Sequence, residues 1–211
     1  MIRTIDRMSE AEGAVLRSMF EARKRVFVDL LKWDVPVLAG TWEIDHFDDR
    51  DATYLILTDG ESGHVASTRL LETTRPHLLD SLFPQLVDGP IPAGRTVREI
   101  TRFCLDRSLR AAERRQARDW LVSALAAHAL ERGITHYTGV AELPWFQQIR
   151  AFGWNCLPLG APMRIDGRML TALVIAIDED TPERLADRGI WRTGMAVPAG
   201  LARDIAPEHR A

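Results

Sequence analysis

The stretch VREITRFCLD, Val97 to Asp106, decides the fold. Its apolar residues give it the bulk of a buried β-strand, yet four of its ten residues are charged, namely Arg98, Glu99, Arg102 and Asp106. Burial of an unpaired charge is costly, so such a strand must pair its charges, expose them to water or present them to a ligand. We predict the central strand of a sheet, with polar side chains that open into a cleft where strands diverge.

Two long helices are predicted, one on each side of this strand in the chain. Over residues 10–31 the apolar positions recur with helical period, and Ser9 and Glu12 have the spacing of a capping box. Over residues 111–132 a second helical pattern ends at Gly133, a residue type that favours the left-handed backbone after a helix.

Strand patterns fill much of the remaining chain. Residues 52–59 and 64–72 are joined by GESG, a turn composition typical of an antiparallel hairpin. Residues 73–96 contain prolines, glycines and one apolar stretch, which predict a loop with a short helix. Strand and helix patterns alternate from there to residue 177. Together they predict the α/β class, with a mixed central sheet and helices on both faces in a three-layer sandwich.

Length and composition predict one compact domain. The chain has 211 residues, 46% of them hydrophobic, which suffices for one core. We assign this domain to residues 1–180. Residues 181–211 are polar and punctuated by prolines, and they predict a short helix near 182–188 followed by a tail whose composition would allow it to be mobile.

Charge and cysteine content narrow the classes of partner and site. The formal net charge is −3, so nothing global favours nucleic acid or an anionic membrane as partner. No apolar run reaches the roughly 18 residues of a membrane span, and the N-terminus lacks the apolar stretch of a signal peptide. The two cysteines form no CxxC motif and the histidines no cluster at metal-ligand spacing. We therefore expect no metal site, no disulfide framework and a cytoplasmic protein.

Short motifs over about residues 20–155 resemble, in order and nearly in spacing, those of the acyl-homoserine-lactone synthase family, the autoinducer synthases of bacterial quorum sensing. The matching positions are Arg23, Phe27 and Trp33 in RKRVFVDLLKW, Asp45 and Asp48 in EIDHFD, Arg69 in STRL, Phe83 in the loop before the charged strand, and Glu99, Arg102 and Phe103 in EITRF. The glycine that often precedes the matched tryptophan in the family is Lys32 here. One match would be weak, whereas the ordered set is specific.

The resemblance implies a fold similar to that of the GNAT-type acetyltransferases and the synthesis of N-acyl-L-homoserine lactone. In this reaction the amine of S-adenosylmethionine takes an acyl group from acyl carrier protein or, in some members, from acyl-coenzyme A. Methylthioadenosine then leaves as the methionine carboxylate closes the lactone ring. S-adenosylmethionine is thus a substrate, and no cofactor is expected to be bound permanently.

The chemistry of the residues agrees with this reaction. A free α-amine has a pKa of about 7.7 to 8.0, so a nearby carboxylate, acting directly or through water, suffices as its base. We assign Glu99 to this role, because burial on a strand can raise its pKa. The resemblance implies that Arg69, Asp45 and Asp48 complete the catalytic group. Acids would face the sulfonium of the substrate and an arginine its carboxylate.

The predicted substrate-binding residues each have a plainer alternative. They are Arg23, Phe27, Trp33, Phe83, Arg102, Phe103 and Thr138. Arg23 could simply pair with Asp45 or Asp48 and fasten the acidic loop. By composition alone, Phe27 and Trp33 are more often core residues. Thr138 matches a family position associated with 3-oxo acyl chains, yet threonine is also ordinary in strands.

Two geometric expectations follow for this site. Glu99 and Arg102 lie three positions apart, hence on opposite faces of a regular strand, so we predict a bulge or twist between them. We expect the acyl chain to occupy a tunnel between the sheet and the second long helix.

The acyl donor is expected at the start of that helix, in DRSLRAAERRQ, residues 106–116. This segment lacks the glycines of the usual GNAT pyrophosphate loop but is rich in arginine. An acidic carrier protein would be attracted to such a surface, and the phosphates of coenzyme A would also be satisfied by it. A solvated helix face is the plainer alternative. The predicted donor contacts are Arg107, Arg110, Arg114 and Arg115.

The sequence leaves two rival functions open. One is a GNAT-type N-acyltransferase that uses acyl-coenzyme A and a different amine, and the other is a ligand-sensing module without activity. Release of methylthioadenosine distinguishes the lactone-forming reaction from both.

Overall fold

A computed structural model gives the structure of the protein and describes residues 1–6 and 12–193. The predicted capping residue Ser9 and the predicted C-terminal tail from residue 194 lie outside the described residues. Helix α5 (Thr181–Asp187) is present where a short helix was predicted, and its Leu185 belongs to the main apolar core. The division of the chain at residue 180 stays a prediction.

The strands of the described chain form one large mixed sheet and one small hairpin. The small hairpin pairs β2 with β3, and the large sheet has the order β1-β4-β5-β6-β7-β10-β8, with β9 paired to β10. The strands are β1 (Ile2–Ile5), β2 (Val37–Leu38), β3 (Trp42–Glu43), β4 (Thr53–Thr58), β5 (His64–Glu72), β6 (Val97–Leu105), β7 (His136–Glu142), β8 (Asn155–Pro158), β9 (Met163–Ile165) and β10 (Arg168–Ala176). The charged strand β6 is therefore central, as predicted.

Helices cover both faces of the sheet. They are α1 (Gly13–Arg23), α2 (Leu78–Leu82), α3 (Ala111–Arg132), α4 (Leu143–Ala151) and α5. Strand β4 shows how the layers separate, because successive side chains of a strand point to opposite faces. Leu55 and Leu57 pack in the core formed with α3, whereas Tyr54 and Ile56 pack in the core formed with α1. The predicted three-layer sandwich is confirmed.

The first helix differs from prediction in its second half. Residues 24–30 continue α1 as a π-helix, in which Lys24 pairs with Asp29 five positions later. The sequence pattern over seven residues is too short to distinguish the wider turn from an α-helix. The wider turn buries Phe27, and the Trp33 amide reaches back to the Phe27 carbonyl at 2.8 Å. Such segments are rare and often lie at functional sites.

Strand β6 pairs antiparallel with β5 and parallel with β7. Its pairing with β7 runs only from Val97 to Ile100, although both strands continue further, so the two separate beyond that point. On the β5 side the register shifts opposite Arg102, whose φ is +51°. The register is regular from Glu99 through Thr101, so the predicted irregularity is present as a bulge at Arg102 itself.

Within the described ranges, no helix has both the length and the apolar character needed to cross a membrane.

Candidate active site

Six buried charged residues on the α1 face of the sheet form what we call the ion network. Its arginines come from the end of α1, from β5 and from the bulge of β6, and its acids from the segment that begins at the end of β3. The members are Arg23, Arg69, Arg102, Glu43, Asp45 and Asp48.

Arg23 is almost fully buried and binds two of the acids. It donates from Nη1 and Nη2 to the two oxygens of Asp48, both at 2.8 Å, and from Nε to Glu43 at 2.5 Å. Asp48 also accepts bonds from the Tyr54 hydroxyl at 2.8 Å and from the Asp45 amide at 2.9 Å. Arg23 therefore fastens the acidic loop, as the plainer interpretation proposed.

The other two arginines converge on Asp45. Arg69 donates to its two oxygens at 2.6 and 3.1 Å, and Arg102 donates to Oδ2 at 2.7 Å. Arg69 Nε also donates to the Thr101 hydroxyl at 2.9 Å, while Arg102 reaches Glu43 Oε1 at 3.0 Å. Thr101 and Arg102 are adjacent, and adjacent side chains of a regular strand point to opposite faces. The bulge therefore lets both residues reach the same network.

Pairing with arginines keeps the two aspartates of the network ionised. Burial alone would raise the pKa of Asp48, but the guanidinium groups of Arg23 and Arg69 hold it well below its usual range. The pKa of Asp45 is also lowered, since Arg69 and Arg102 outweigh the effect of burial. With three positive and three negative members the network is neutral in sum, which is how it tolerates burial.

Glu43 is the network member that sequence reasoning missed. It is fully buried and bridges Arg23 to Arg102. A signal was available, because Glu43 lies two positions before Asp45 in an extended segment, and side chains two apart on such a segment point the same way.

Glu99 lies beside the ion network, but the groups around its carboxyl differ from those around the network acids. It is fully buried, and its Oε2 accepts a hydrogen bond from the Leu78 amide of α2 at 2.7 Å. Its Oε1 has no hydrogen-bond partner among residues 1–6 and 12–193. Burial raises the pKa of Glu99 to about 7, although the amides of Leu78 and Leu79 and the charge of Arg69 act in the opposite direction. This carboxyl can therefore gain or lose a proton near neutral pH.

Thr138 faces the same side of the sheet as Glu99. The two residues are directly paired across β6 and β7, so their side chains point to one face. Thr138 is fully buried, and its hydroxyl has no hydrogen-bond partner within the described part of the chain. Two polar atoms without partners thus lie next to the point where the strands separate, and buried polar atoms of this kind call for an explanation such as a ligand or water.

Thr138 does not point towards the position expected for the acyl tunnel, between the sheet and α3. The Tyr137 hydroxyl bonds to Leu125 of α3, so the next residue, Thr138, points away from α3. Its face is the one covered by α2 and the turn after it, where Phe83 and Val140 both pack against the apolar cluster that contains Leu79 and Leu86. The predicted Phe83 is therefore near the site, but on the α2 side.

The aromatic residues divide into two groups. Phe27 and Trp33 stack with their ring centroids 4.7 Å apart, and the Arg102 guanidinium lies 5.7 and 5.9 Å from these rings, so both adjoin the network. Phe103 does not. After the bulge it turns to the opposite face and packs on Trp145 of α4, with the ring centroids 5.3 Å apart, so it lies away from the network and its role as a substrate contact stays a prediction.

The predicted donor contacts surround the start of α3. Arg107, Arg110 and Arg115 are exposed, and Arg114 is partly buried and donates to the Arg107 carbonyl at 3.3 Å. Glu113 accepts a hydrogen bond from the Arg110 amide at 2.7 Å and so caps the helix. The described residues contain no group of three or more histidine, cysteine, aspartate or glutamate side chains placed to hold a metal ion.

Comparison with known proteins agrees with this geometry. A family model described as autoinducer synthase matches residues 7–185. An acyl-homoserine-lactone synthase of Ralstonia nicotianae is 33% identical over 181 residues, which cover 83% of this chain and 87% of the relative. One from Rhizobium etli is 34% identical over 171 residues, or 79% of each chain.

Solved structures of similar proteins share the fold. TofI, in a ternary complex with an inhibitor and MTA, is 30% identical with a TM-score of 0.74 and covers 90% of this chain and 99% of its own. BjaI, a CoA-dependent acyl-homoserine lactone synthase with SAM and isopentyl-CoA, is 27% identical with a TM-score of 0.79 and covers 96% of this chain and 97% of its own. An N-acetyltransferase from Lactobacillus plantarum, at 19% identity and a TM-score of 0.56, shares the fold alone.

Proposed function

Because this chain belongs to the autoinducer synthase family, we propose that Glu99 and the ion network beside it act on S-adenosylmethionine and an acyl thioester. The chain is an acyl-homoserine-lactone synthase: it transfers the acyl group to the amine of S-adenosylmethionine, closes the lactone and releases methylthioadenosine. Its substrates come and go with each turnover, and no cofactor is bound permanently.

Glu99 is the general base of the acyl transfer. Its carboxylate takes a proton from the substrate ammonium, directly or through one water, and the freed amine attacks the thioester carbonyl. The carbon–sulfur bond of the thioester breaks, the attacking nitrogen loses its second proton to the leaving thiolate, and the proton held by Glu99 passes to solvent. The substrate carboxylate then attacks its own γ-carbon and breaks the bond to the sulfonium. Because that sulfur leaves as a neutral thioether, the second step needs no acid.

One observation carries this assignment: Glu99 is a buried carboxyl with one free oxygen and a pKa of about 7. A base works best when its pKa lies near the working pH. The members of the ion network are already paired with each other, so we assign Arg23, Arg69, Asp45 and Asp48 to positioning rather than to proton transfer.

The two substrates would meet on either side of Glu99. Phe27, Trp33 and Arg102 adjoin the network and form the wall proposed for S-adenosylmethionine, where aromatic faces suit a sulfonium. Thr138 and Phe83 lie on the α2 face and are proposed for the acyl chain. The Thr138 hydroxyl could donate to a 3-oxo group.

The acyl donor arrives on a phosphopantetheine arm, which acyl carrier protein and coenzyme A share. We propose that Arg107, Arg110, Arg114 and Arg115 contact the donor at the start of α3, because they form an arginine-rich surface there. We also propose a cytoplasmic location, supported by Cys104 and Cys156, which are both unpaired in the described chain.

The test is to incubate the purified protein with S-adenosylmethionine and a panel of acyl-carrier-protein and acyl-coenzyme A thioesters, and to identify products by mass. We expect a lactone and methylthioadenosine in equal amounts. An N-acyltransferase acting on another amine would release no methylthioadenosine, and this result would overturn the proposal.

Glu99→Gln should lower kcat at least 100-fold while leaving the fold intact, because it removes the base but keeps the size of the side chain. Glu72→Gln is the matched control, since Glu72 is partly exposed on β5 and pairs only loosely with Arg98 at 3.9 Å. A Glu99→Gln enzyme that works at full rate would show that the base lies elsewhere. Arg69→Ala is a poorer test, because it leaves Asp45 and Asp48 buried with an unbalanced charge.

A further inference from the structure

Arg168 connects the far end of the sheet to the segment that carries Trp33. It is the first residue of β10, outside the motifs that resemble the family. Its Nη2 donates to the backbone carbonyls of Leu31 at 2.7 Å and Lys32 at 3.3 Å, and its Nη1 lies 3.4 Å from Glu142 at the end of β7. One side chain thus joins β7, β10 and the end of the first helix.

The carbonyls that Arg168 binds belong to Leu31, which caps the end of the π-helix, and to Lys32, the next residue. The Leu31 amide still bonds back to Val26 at 2.9 Å, but the carbonyls of the last turn of a helix lack a partner within it. Lys32, with φ of +57°, then reverses the chain direction in a left-handed conformation that side chains other than glycine adopt at a cost. A guanidinium is well suited to this end, since it supplies both donors and positive charge.

Trp33 lies close to two guanidinium groups. Arg168 is 5.5 Å from the centroid of its ring, and Arg102 of the ion network is 5.9 Å away. The indole also stacks on Phe27. Its ring therefore adjoins both the ion network and Arg168.

We propose that Arg168 is a positioning residue for the S-adenosylmethionine site: it fastens the end of the π-helix so that Trp33 stays stacked on Phe27 beside Arg102. The inference rests on the proposed function in that it takes Phe27 and Trp33 as a wall of this site. Arg168 itself need not touch the substrate.

Loss of this contact has a specific kinetic signature. If the Trp33 segment opens, only a fraction of the molecules holds a formed site, and the apparent affinity falls by that fraction. Saturating S-adenosylmethionine draws the molecules back to the closed form. KM for S-adenosylmethionine should therefore rise while kcat stays nearly constant, which a general loss of stability would not produce.

The experiment compares Arg168→Ala with Arg168→Lys and with Arg164→Ala as matched control. Arg164 is an exposed arginine on the neighbouring strand β9, and within the described part of the chain its guanidinium bonds only to the Gly167 carbonyl, at 2.9 Å. We expect Arg168→Ala to raise KM for S-adenosylmethionine about tenfold with kcat within twofold. Lysine, which can reach one carbonyl but not hold both, should give an intermediate KM. Arg164→Ala should match the unsubstituted protein.

Hydrogen exchange separates this inference from the proposed function. The Leu31 and Trp33 amides should exchange faster in Arg168→Ala than in Arg164→Ala, with or without substrate turnover. If the unsubstituted protein releases no methylthioadenosine, the proposed function fails, whereas exchange still reports whether Arg168 fastens the segment. Equal KM values, or equal exchange at both amides, in Arg168→Ala and Arg164→Ala would overturn the inference.

Discussion

Among single residues, Glu99 shows a conflict between stability and chemistry. A carboxyl in water has no reason to hold a proton at pH 7, yet burial raises the pKa of Glu99 to about 7. A shift of one unit corresponds to about 1.4 kcal/mol, so the ionised form costs the folded protein on the order of 3 kcal/mol. Functional sites commonly carry such a cost, because the same burial prepares the group for proton transfer.

This conflict predicts the pH dependence of stability. The folded pKa of Glu99 lies above its unfolded value, so its contribution is fully present below about pH 4.5 and is lost as pH rises through about 7. Glu99→Gln cannot ionise and escapes that loss. The stability of this variant relative to the unsubstituted protein should therefore rise by roughly 2 to 3 kcal/mol between pH 5 and pH 8, measured by urea unfolding.

Glu72→Gln serves as the control, and its stability difference should not change over this pH range. A Glu99→Gln difference that is equally flat would show that Glu99 titrates normally in the folded protein.

Among elements, the meeting of β6 and β7 determines what the site can do. Their pairing ends at Ile100, and the bulge at Arg102 then redirects β6. One strand consequently sends Glu99 and Thr101 to the α1 and α2 face, and Phe103 to the α3 face. The separation of the strands leaves Glu99 and Thr138 with polar atoms that the described chain does not satisfy.

Two threonines on the strands that flank β6 test this interpretation. Thr138→Val removes a buried hydroxyl without a partner, so stability should be unchanged or rise by about 1 kcal/mol. Thr68→Val, on β5, removes a hydrogen bond of 3.0 Å to the Thr101 carbonyl and should cost about 1 kcal/mol. Thermal unfolding measures both.

Thr138→Val should also reduce the preference for 3-oxo over unsubstituted acyl donors, measured as the ratio of their kcat/KM values. Thr68→Val should keep this ratio. A loss of stability in Thr138→Val as large as that in Thr68→Val would mean that the hydroxyl has a partner after all.

In the whole molecule, charge is distributed unevenly. The net charge is only −3, yet exposed arginines gather at the start of α3. Local charge of this kind guides association more than it adds affinity, and salt screens it. An acidic carrier protein would be attracted by the summed charge of this whole surface, whereas coenzyme A would depend on a few direct contacts with its phosphates.

Charge reversal at this surface should distinguish the two donors. Arg107→Glu and Arg115→Glu should each raise KM for an acyl-carrier-protein donor severalfold, and more than for the matching acyl-coenzyme A. Arg132→Glu makes the same charge change at the opposite end of α3, where Arg132 pairs with Asp6, and should leave both KM values unchanged. Steady-state kinetics at low and high salt provide the measurement. Equal effects at both ends of α3 would exclude a docking role for this surface.

The sequence by itself determined most of the elements and named most of the residues proposed for the site. Apolar periodicity is a local property, so it predicted the long helices, the β4–β5 hairpin and the central place of β6. The spacing of Glu99 and Arg102 also predicted the bulge. The motif resemblance named Arg23, Asp45, Asp48, Arg69 and Glu99 as one group, and the structure places them together.

Only the tertiary structure decided which side chains meet. Four features depend on backbone angles and on packing between segments far apart in the chain. They are the bridging role of Glu43, the turn of Phe103 away from the network, the π-helix and the contact of Arg168 with Leu31. Periodicity shows which face of an element is apolar. It does not show which distant charge or carbonyl lies within hydrogen-bond distance, because that distance is set by how the finished layers pack together.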